Sequence, residues 1–217
     1  MKEGPILFSA PMVRAILEGR KTQTRRVVGL GNSLINGIGC SRKYWESQRL
    51  DFERAWIDHG PSPAGNPGPY LKVPATDEAV HRLYSRRWAG DRMWVRETWN
   101  TSENVRPAIV EPYIYGADLN SNGVTRWAAR WRPSIHMPRD ASRITLEITD
   151  VRVERLQDIS ESDAMDEGVG ALVTGARDGN PDQYRTTFRD LWGSINGVKS
   201  WAANPWVWAT TFERVKP

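Results

Sequence analysis

Alternation of hydrophobic and polar positions predicts a strand and then a helix at the start of the chain. Residues 5–8 form a short apolar run that suits a first or edge strand. Ser9 can cap a helix, and apolar residues then recur at helical spacing. Gly19 is placed to end this helix, since glycine adopts a left-handed backbone readily. A basic polar turn is predicted for residues 20–26, followed by a strand that starts at Val27.

Regular patterning breaks down between residues 29 and 90. Glycine and proline fill residues 60–69, which cannot hold a regular element. An amphipathic helix is predicted through residues 44–56. A loop this long inside a compact domain is usually functional or mobile. We therefore predict that residues 30–89 are an insertion or lid on a single domain that spans residues 1–217.

Strands dominate the prediction for the rest of the chain. Apolar and polar residues alternate from residue 93 to residue 99, and Glu97 falls on the more apolar face. A carboxylate there either pairs with a cation or faces a cleft. The Thr149–Asp150 pair predicts a bend or bulge within the clearest strand. The further predicted strands are residues 113–115, 125–131, 143–153 and 206–215.

Two more helices are predicted towards the C-terminus. Ser160 followed by Asp163 resembles a capping box, and Gly168 is a natural stop for the helix that it opens. The last helix opens at residues 181–182 and closes at residues 196–197. Several strands with few, separated helices predict an α+β domain, built as a partly closed β-barrel flanked by helices.

Composition is typical of one globular domain in a reducing compartment. The chain has 217 residues, 39% of them hydrophobic and 26% charged, so it can bury a core. The single cysteine, Cys40, excludes an internal disulfide and favours a cytoplasmic location. No apolar run reaches the roughly 20 residues that span a bilayer, and residues 1–5 lack the features of a signal peptide. A net charge of +4 permits a nucleic-acid partner without requiring one, because affinity for phosphates depends on clustering.

The usual cofactor chemistries find no support in the sequence. His59, His81 and His136 are far apart and have no cysteine or carboxylate at ligand spacing, so no metal site is predicted. No phosphate-binding loop, dinucleotide motif or nucleophile elbow is present, and nothing recommends Cys40 as a nucleophile. We therefore expect no cofactor.

The segment from Gly19 to Arg26 is the most distinctive chemical feature. It places four cations and two hydroxyls directly after a helix. In one interpretation it is a solvated loop, whose cations favourably face the helix C-terminus. In the other it is an anion-binding turn, in which Arg20, Arg25 or Arg26 grips phosphate or carbonyl oxygens.

The spacing Gly19-x-Lys21-x-x-x-x-Arg26 resembles the signature of the ASCH family, a branch of the PUA-like β-barrel superfamily. Other segments resemble the longer members of this family, which are often encoded by phages or prophages. These segments are residues 5–9, 90–99, 135–138, 156–161 and 204–208. The resemblance covers both ends of the chain and its middle, and it misses mainly residues 30–89. It implies a PUA-like barrel with a cleft that accepts RNA or a nucleoside.

One small bacterial member of the family is an amidohydrolase that removes the acetyl group from 4-acetylcytidine. Its catalytic lysine and threonine fall on Lys21 and Thr24, and alignment of its short helix on residues 156–161 brings its glutamate onto Glu167. The resemblance therefore implies a hydrolase whose partner is a modified nucleoside or RNA. Six further residues are expected to bind substrate or nucleic acid: Arg20, Arg25, Arg26, Arg96, Glu97 and Trp99.

The three implied catalytic residues suit amide hydrolysis. A threonine hydroxyl needs a neighbouring base, and a partly buried lysine beside several arginines can have the lowered pKa that this role requires. Glu167 would orient the lysine, activate water or hold the base edge of a nucleoside. The structural alternatives are that Thr24 caps the turn and that Lys21 forms a packed ion pair with Glu167 or Glu97. The alternative functions are a metal-independent ribonuclease and a non-catalytic RNA- or DNA-binding module.

Overall fold

The structure is a computed structural model, which describes residues 1–60, 68–101, 112–118, 131–172 and 182–215. The helices in these ranges are α1 (Ala10–Leu17), α2 (Arg42–Ser47), α3 (Glu161–Asp166) and α4 (Gln183–Asn196). The strands are β1 (Glu3–Leu7), β2 (Gln23–Val27), β3 (Ser33–Ile35), β4 (Trp56–Asp58), β5 (Tyr70–Pro74), β6 (Val80–Ser85), β7 (Arg92–Arg96), β8 (Trp99–Thr101), β9 (Tyr113–Tyr115), β10 (Thr145–Arg155) and β11 (Trp206–Arg214). The α+β class is therefore confirmed.

The largest sheet has the strand order β1-β7-β10-β11-β2. β1 runs parallel to β7, and the other neighbouring pairs are antiparallel. The register of β10 against β11 shifts between Ile148 and Asp150, which confirms the predicted bulge. β1 and β2 are the two edges of this sheet, so the described strands do not close into a barrel.

A second sheet, with the order β3-β6-β5-β4, lies within residues 29–90, where the sequence pattern predicted a helix but no strands. That prediction was wrong, and the expected long helix is reduced to the six residues of α2, with Trp56 in a strand instead. Leu71, Val73 and Leu83 of this sheet belong to the same hydrophobic core as Phe212. The strands of this sheet are short and several are buried on both faces, so they lack the alternation of apolar and polar residues that predicts a strand.

The predicted helices at the two ends of the chain are confirmed. α1 buries Val13 and Ile16, although Ser9 at its N-cap makes no side-chain capping hydrogen bond. Ser160 caps α3 by accepting a hydrogen bond from the backbone N–H of Asp163 at 3.0 Å. α4 packs Phe188 into a smaller hydrophobic cluster with Leu156, Ile159 and Val207. Helices α3 and α4 therefore lie together against one face of the large sheet.

The predicted strands are confirmed where they fall in the described ranges, with one important correction. The strand predicted at residues 125–131 lies outside the described residues, except for Trp131. The predicted basic turn is itself largely a strand: β2 starts at Gln23 rather than Val27 and pairs with β11. The pattern predicts a loop at residues 20–26 because charged residues are usually solvated. Arg25 is instead buried among acidic side chains.

None of the described helices is long and apolar enough to cross a membrane.

Gly168 closes α3 where it meets the segment after α1. Its φ is +84°, and an added Cβ would lie 2.8 Å from the Cβ of Lys21 and 3.0 Å from the Cβ of Ala15. Real Cβ atoms do not approach so closely, so glycine is required both for its backbone conformation and for the space.

We predict that Gly168→Ala is more damaging than Gly90→Ala. Gly90 has a similar φ of +86° but no atom within 4 Å of its added Cβ. The control should lose about 1 kcal/mol of unfolding free energy from backbone strain. Gly168→Ala should lose about 2 kcal/mol more, because of the steric overlap. Urea denaturation measures both, and equal losses would show that the contact with Lys21 is not tight.

Candidate functional site

Lys21 is fixed where the end of α1 meets the end of α3. Its backbone N–H donates to the carbonyl of Ala15 at 3.0 Å, and the backbone N–H of Thr22 donates to the carbonyl of Asp166 at 2.8 Å. Lys21 and Glu167 also form an isolated β-bridge. These backbone bonds place the two side chains against each other, although they are far apart in sequence.

The Lys21 ammonium is fully hydrogen-bonded. Its Nζ donates to Glu167 Oε2 at 2.7 Å, to the Glu167 carbonyl at 2.9 Å and to the Gln23 carbonyl at 2.7 Å. An ammonium has three N–H donors, so these three acceptors satisfy the protonated side chain completely. Glu167 and Glu97 were the two predicted partners for a packed ion pair with Lys21. Lys21 pairs with Glu167, whereas Glu97 pairs with Arg143.

Burial lowers the pKa of Lys21 below its ordinary value. The carboxylate of Glu167 opposes this effect, while the charges of Arg26 and Arg25 add to it. The side chain of Lys21 is 0% exposed, so burial is the largest cause. The lowered pKa makes the unprotonated amine of Lys21 easier to form here than in solution, as a role in proton transfer would require.

Arg25 extends the ion pair into a buried network. Its Nη1 donates to Glu167 Oε1 at 3.3 Å, and its Nε donates to Glu154 Oε1 at 2.9 Å. Its Nη2 lies 2.7 Å from Glu154 Oε1 and 3.3 Å from Asp163 Oδ2, as ion-pair contacts without hydrogen-bond geometry. Glu167 is thus held by a cation on each carboxylate oxygen, which leaves its side chain little freedom.

Asp163 anchors the same network from the first turn of α3. Burial raises the pKa of its carboxyl, but hydrogen bonds from Gln23, Arg152 and Ser160 outweigh this effect and hold the pKa at about 2. Gln23 Nε2 donates at 2.8 Å and Arg152 Nη2 at 3.1 Å, both to Oδ1. The carboxylate therefore stays ionised at all ordinary pH values and ties α3 to β2 and β10.

Thr24 and Glu167 line a cavity of about 200 Å³ between β2 and α4. Its lining mixes apolar side chains, most of them from α4, with polar and charged groups. Its lining residues are Met12, Thr24, Arg25, Arg26, Val27, Asn32, Glu167, Phe188, Leu191, Trp192, Ile195 and Asn196. Lys21 is not among them, so it lies behind Glu167 rather than at the cavity surface.

Strand β2 places alternate residues of the basic segment on opposite faces of the large sheet. Thr24 and Arg26 pair with Thr210 and Trp208 of β11, and alternation places them on the opposite face from Arg25. Arg26 Nη2 donates to the Leu7 carbonyl at 2.9 Å. The alternative in which Thr24 caps a turn is therefore wrong, because Thr24 lies inside a paired strand.

The other predicted binding residues fall into two groups. Arg20 stays near the site: it pairs with Glu18, and its Nη1 donates to the Gly168 carbonyl at 3.4 Å. Arg96 lies on β7, towards the other end of the large sheet, and Glu97 follows it. Trp99 begins β8, which pairs with β9 in a separate two-stranded sheet. In the described structure none of these three lines the cavity or bonds to Lys21 or Glu167.

Glu97 is a structural ion-pair residue in this arrangement. It is 1% exposed and accepts from Arg143 Nε at 2.9 Å and from Arg143 Nη2 at 3.1 Å, which confirms the predicted pairing with a cation. Burial raises the pKa of Glu97, and Arg143 opposes that effect. Trp99 packs edge-on to Tyr113, and Arg96 lies over Trp94, so both aromatic rings are engaged within the fold.

Several residues of the site were missed by sequence reasoning. Glu154 and Asp163 carry the countercharge of Arg25, and Trp192 supplies part of the apolar lining. The indole N–H of Trp192 is buried without an acceptor in the described part of the chain. Alternation in β10 and helical spacing in α4 predict buried faces, but neither pattern shows which faces meet.

The chain was compared with protein-family models, with curated proteins and with solved structures, and none of them matches it. Among the described residues, no group of three or more histidine, cysteine, aspartate or glutamate side chains is placed to hold a metal ion.

We predict that the stability difference between the wild-type protein and Asp163→Asn depends on pH. The pKa of Asp163 in the folded protein is about 2, below its ordinary value of 3.8, so its ionised form stabilises the fold at neutral pH. This contribution, about 1–2 kcal/mol, should be present above pH 4 and disappear as the pH falls through 2. Urea denaturation of both proteins between pH 2 and pH 7 measures it. A difference that stays constant over this range would contradict the assigned network.

Proposed function

We propose that this protein is a PUA-like member of the ASCH family and hydrolyses the amide of an acylated pyrimidine nucleoside, most concretely 4-acetylcytidine. The observation that carries the proposal is the carboxylate of Glu167, which is held by Lys21 and Arg25 and lines one cavity with Thr24. A fixed carboxylate and a hydroxyl that line the same cavity, together with arginines, are the groups that acyl transfer needs.

The geometry favours Glu167 as the base and Lys21 as the residue that positions it. All three donors of Lys21 are used, and Lys21 does not line the cavity, whereas Glu167 does. In this mechanism the Thr24 hydroxyl attacks the acetyl carbonyl, and its proton passes to Glu167. Glu167 returns the proton to the exocyclic nitrogen as the C–N bond breaks, which releases cytidine. Water then attacks the acetyl ester of Thr24 and gives one proton to Glu167. Glu167 passes that proton to the Thr24 oxygen as the C–O bond breaks, which restores the hydroxyl and releases acetic acid, which ionises to acetate.

The cavity walls match a flat base with a polar edge. Phe188, Leu191 and Trp192 supply apolar surface for the ring, and Arg26 supplies positive charge for the developing oxyanion. A site that mixes apolar surface with a few fixed polar groups is typical of small-molecule pockets.

The family assignment is supported by the way the signature residues are used. Gly19 has a φ of +74°, Lys21 is buried against Glu167, and Arg26 reaches the Leu7 carbonyl at the opposite edge of the sheet. All three positions of the signature therefore have a defined structural role. In the proposed PUA-like barrel, the bulged strand β10 bends the sheet so that its two edges approach each other.

One observation favours a second candidate function, a non-catalytic RNA- or DNA-binding module. Because the ammonium of Lys21 is fully satisfied, the pair with Glu167 also suits a purely structural role. Binding would then rest on phosphate contacts, fall steeply with salt and survive the loss of the Thr24 hydroxyl. A metal-independent ribonuclease would instead degrade unmodified RNA in the presence of a chelator.

We predict that the wild-type protein releases cytidine and acetate from 4-acetylcytidine, and that Thr24→Val and Glu167→Gln lower kcat about a hundredfold or more. The matched control is Thr211→Val. Thr211 lies on the neighbouring strand β11, and it lines neither the candidate cavity nor a second cavity next to it. Chromatography of the products measures turnover. Folded wild-type protein without turnover would contradict the amidohydrolase proposal, and full activity of Thr24→Val would contradict the role of the hydroxyl.

A further inference from the structure

A second cavity, of about 240 Å³, lies on the face of β2 that carries Arg26. Five basic and two acidic residues line it, which leaves a net formal charge of +3. The lining residues are Lys2, Glu3, Gly4, Arg26, Gly31, Asn32, Ser85, Arg86, Arg87, Asp91, Arg92, Trp208 and Thr210. Arg86 and Arg87 come from the segment at residues 30–89, which the resemblance to the ASCH family does not cover.

Three of the arginines in this cavity form no ion pair with an acidic residue in the part of the chain that the structure describes. Half of the arginines in the described residues form ion pairs, whereas Arg26, Arg86 and Arg87 form none with any described carboxylate. Arg92, by contrast, pairs with Glu147. The positive charge of the three arginines is therefore not neutralised within the described fold.

The two acids of the lining are already engaged. Asp91 accepts hydrogen bonds from the backbone N–H groups of Lys2 at 2.7 Å and Trp88 at 3.1 Å. Glu3 pairs with Arg139 at 2.7 Å. Neither carboxylate lies in an ion-pair contact with the three unpaired arginines, so neither cancels their charge at close range.

Backbone carbonyls hold the three guanidinium groups in place. Arg87 Nη2 donates to the Pro5 carbonyl at 2.6 Å, and Arg26 Nη2 donates to the Leu7 carbonyl at 2.9 Å. Arg86 makes longer bonds, both of 3.4 Å, to the carbonyls of Ser33 and Leu30. Each guanidinium has five N–H donors, so these bonds position the groups and leave other donors for a ligand.

The charges of the three arginines also act on one another. Burial lowers the pKa of Arg87, and the nearby Arg26 and Arg86 lower it further, against an opposing effect of Asp91. Like charges gathered without a counterion are unfavourable in a folded protein. A bound anion would relieve this repulsion.

The arginine cavity adjoins the candidate active site. Arg26 and Asn32 line both cavities, so a ligand that fills one reaches the border of the other. We propose that Arg26, Arg86 and Arg87 form a phosphate-binding subsite, and that the substrate of the neighbouring site is a nucleotide or a nucleotide residue in RNA rather than a free nucleoside. Arginine forks bind phosphate oxygens in pairs, which fits three guanidinium groups around one anion. The choice of substrate rests on the proposed function, whereas the phosphate subsite does not.

Binding to unmodified ligands tests the subsite without any hydrolysis. Calorimetry with cytidine 5′-monophosphate, cytidine, orthophosphate and a short unmodified RNA separates the contributions of base, free phosphate and strand. We expect the wild-type protein to bind the nucleotide or the RNA at least about tenfold more tightly than cytidine. We expect Arg86→Gln/Arg87→Gln to lose most of this preference, and orthophosphate to compete for the site.

The matched control is Arg42→Gln/Arg54→Gln, which removes the same charge from two exposed arginines of the same segment that pair with local acids. It should bind like the wild-type protein. Binding of the monophosphate identifies a nucleotide site, and binding of RNA alone identifies a strand site; either supports the subsite if the Arg86/Arg87 variant is impaired. The proposal is overturned if phosphate adds no affinity to cytidine, or if the variant and the control bind equally.

The wild-type protein alone gives an independent test, should the double variant fail to fold. Phosphate binding at the three arginines must weaken as salt rises, whereas cytidine binding should not. Equal salt dependence for the two ligands would also overturn the subsite. Because no step of this experiment needs turnover, failure of the amidase assay would leave the phosphate result fully interpretable.

Discussion

The buried ion pair between Lys21 and Glu167 is the interaction on which the rest of the site depends. A charged group inside a protein costs several kcal/mol unless it is paired and hydrogen-bonded, so each of these two side chains requires the other. The pair joins positions 146 residues apart and fixes the end of α3 against the start of β2. Gly168 permits that approach, since a side chain there would overlap Lys21. The location of the Glu167 carboxylate in the cavity follows from this packing.

The strand β2 turns one basic segment into two different surfaces. Arg25 is directed to the acids of β10 and α3, where it is neutralised, and it serves mainly to hold Glu167. Arg26 lies on the other face, where it borders both cavities and forms no ion pair with a carboxylate of the described residues. Strand alternation therefore places the charge that holds Glu167 and the charge without an ion-pair partner on opposite faces of β2. The proposed function and the proposed phosphate subsite share Arg26 as their common border.

Local patterns in the sequence predict the helices and most strands but not how they meet. The cap of α3 at Ser160 and the bulge near Asp150 were predictable, because each depends on neighbouring residues only. The sheet within residues 30–89 was not, because its short strands carry no clear period. The pairing of Lys21 with Glu167 was proposed through a family resemblance and as a packing alternative. The ion pairs around it, such as that between Arg25 and Glu167, depend on contacts between residues that are distant in sequence, which no local pattern encodes.

A double-mutant cycle on Lys21 and Glu167 tests the central claim most directly. Lys21→Met and Glu167→Leu should each lower the unfolding free energy by about 3–5 kcal/mol, because each breaks a buried ion pair. Glu167 then keeps only Arg25, and Lys21 keeps only two backbone carbonyls. The double variant removes both charges, so its loss should be smaller than the sum of the two single losses by at least about 1 kcal/mol. Urea denaturation at neutral pH gives all four values. Losses that add within about 0.5 kcal/mol would contradict the account, because they would show that the two side chains do not depend on each other.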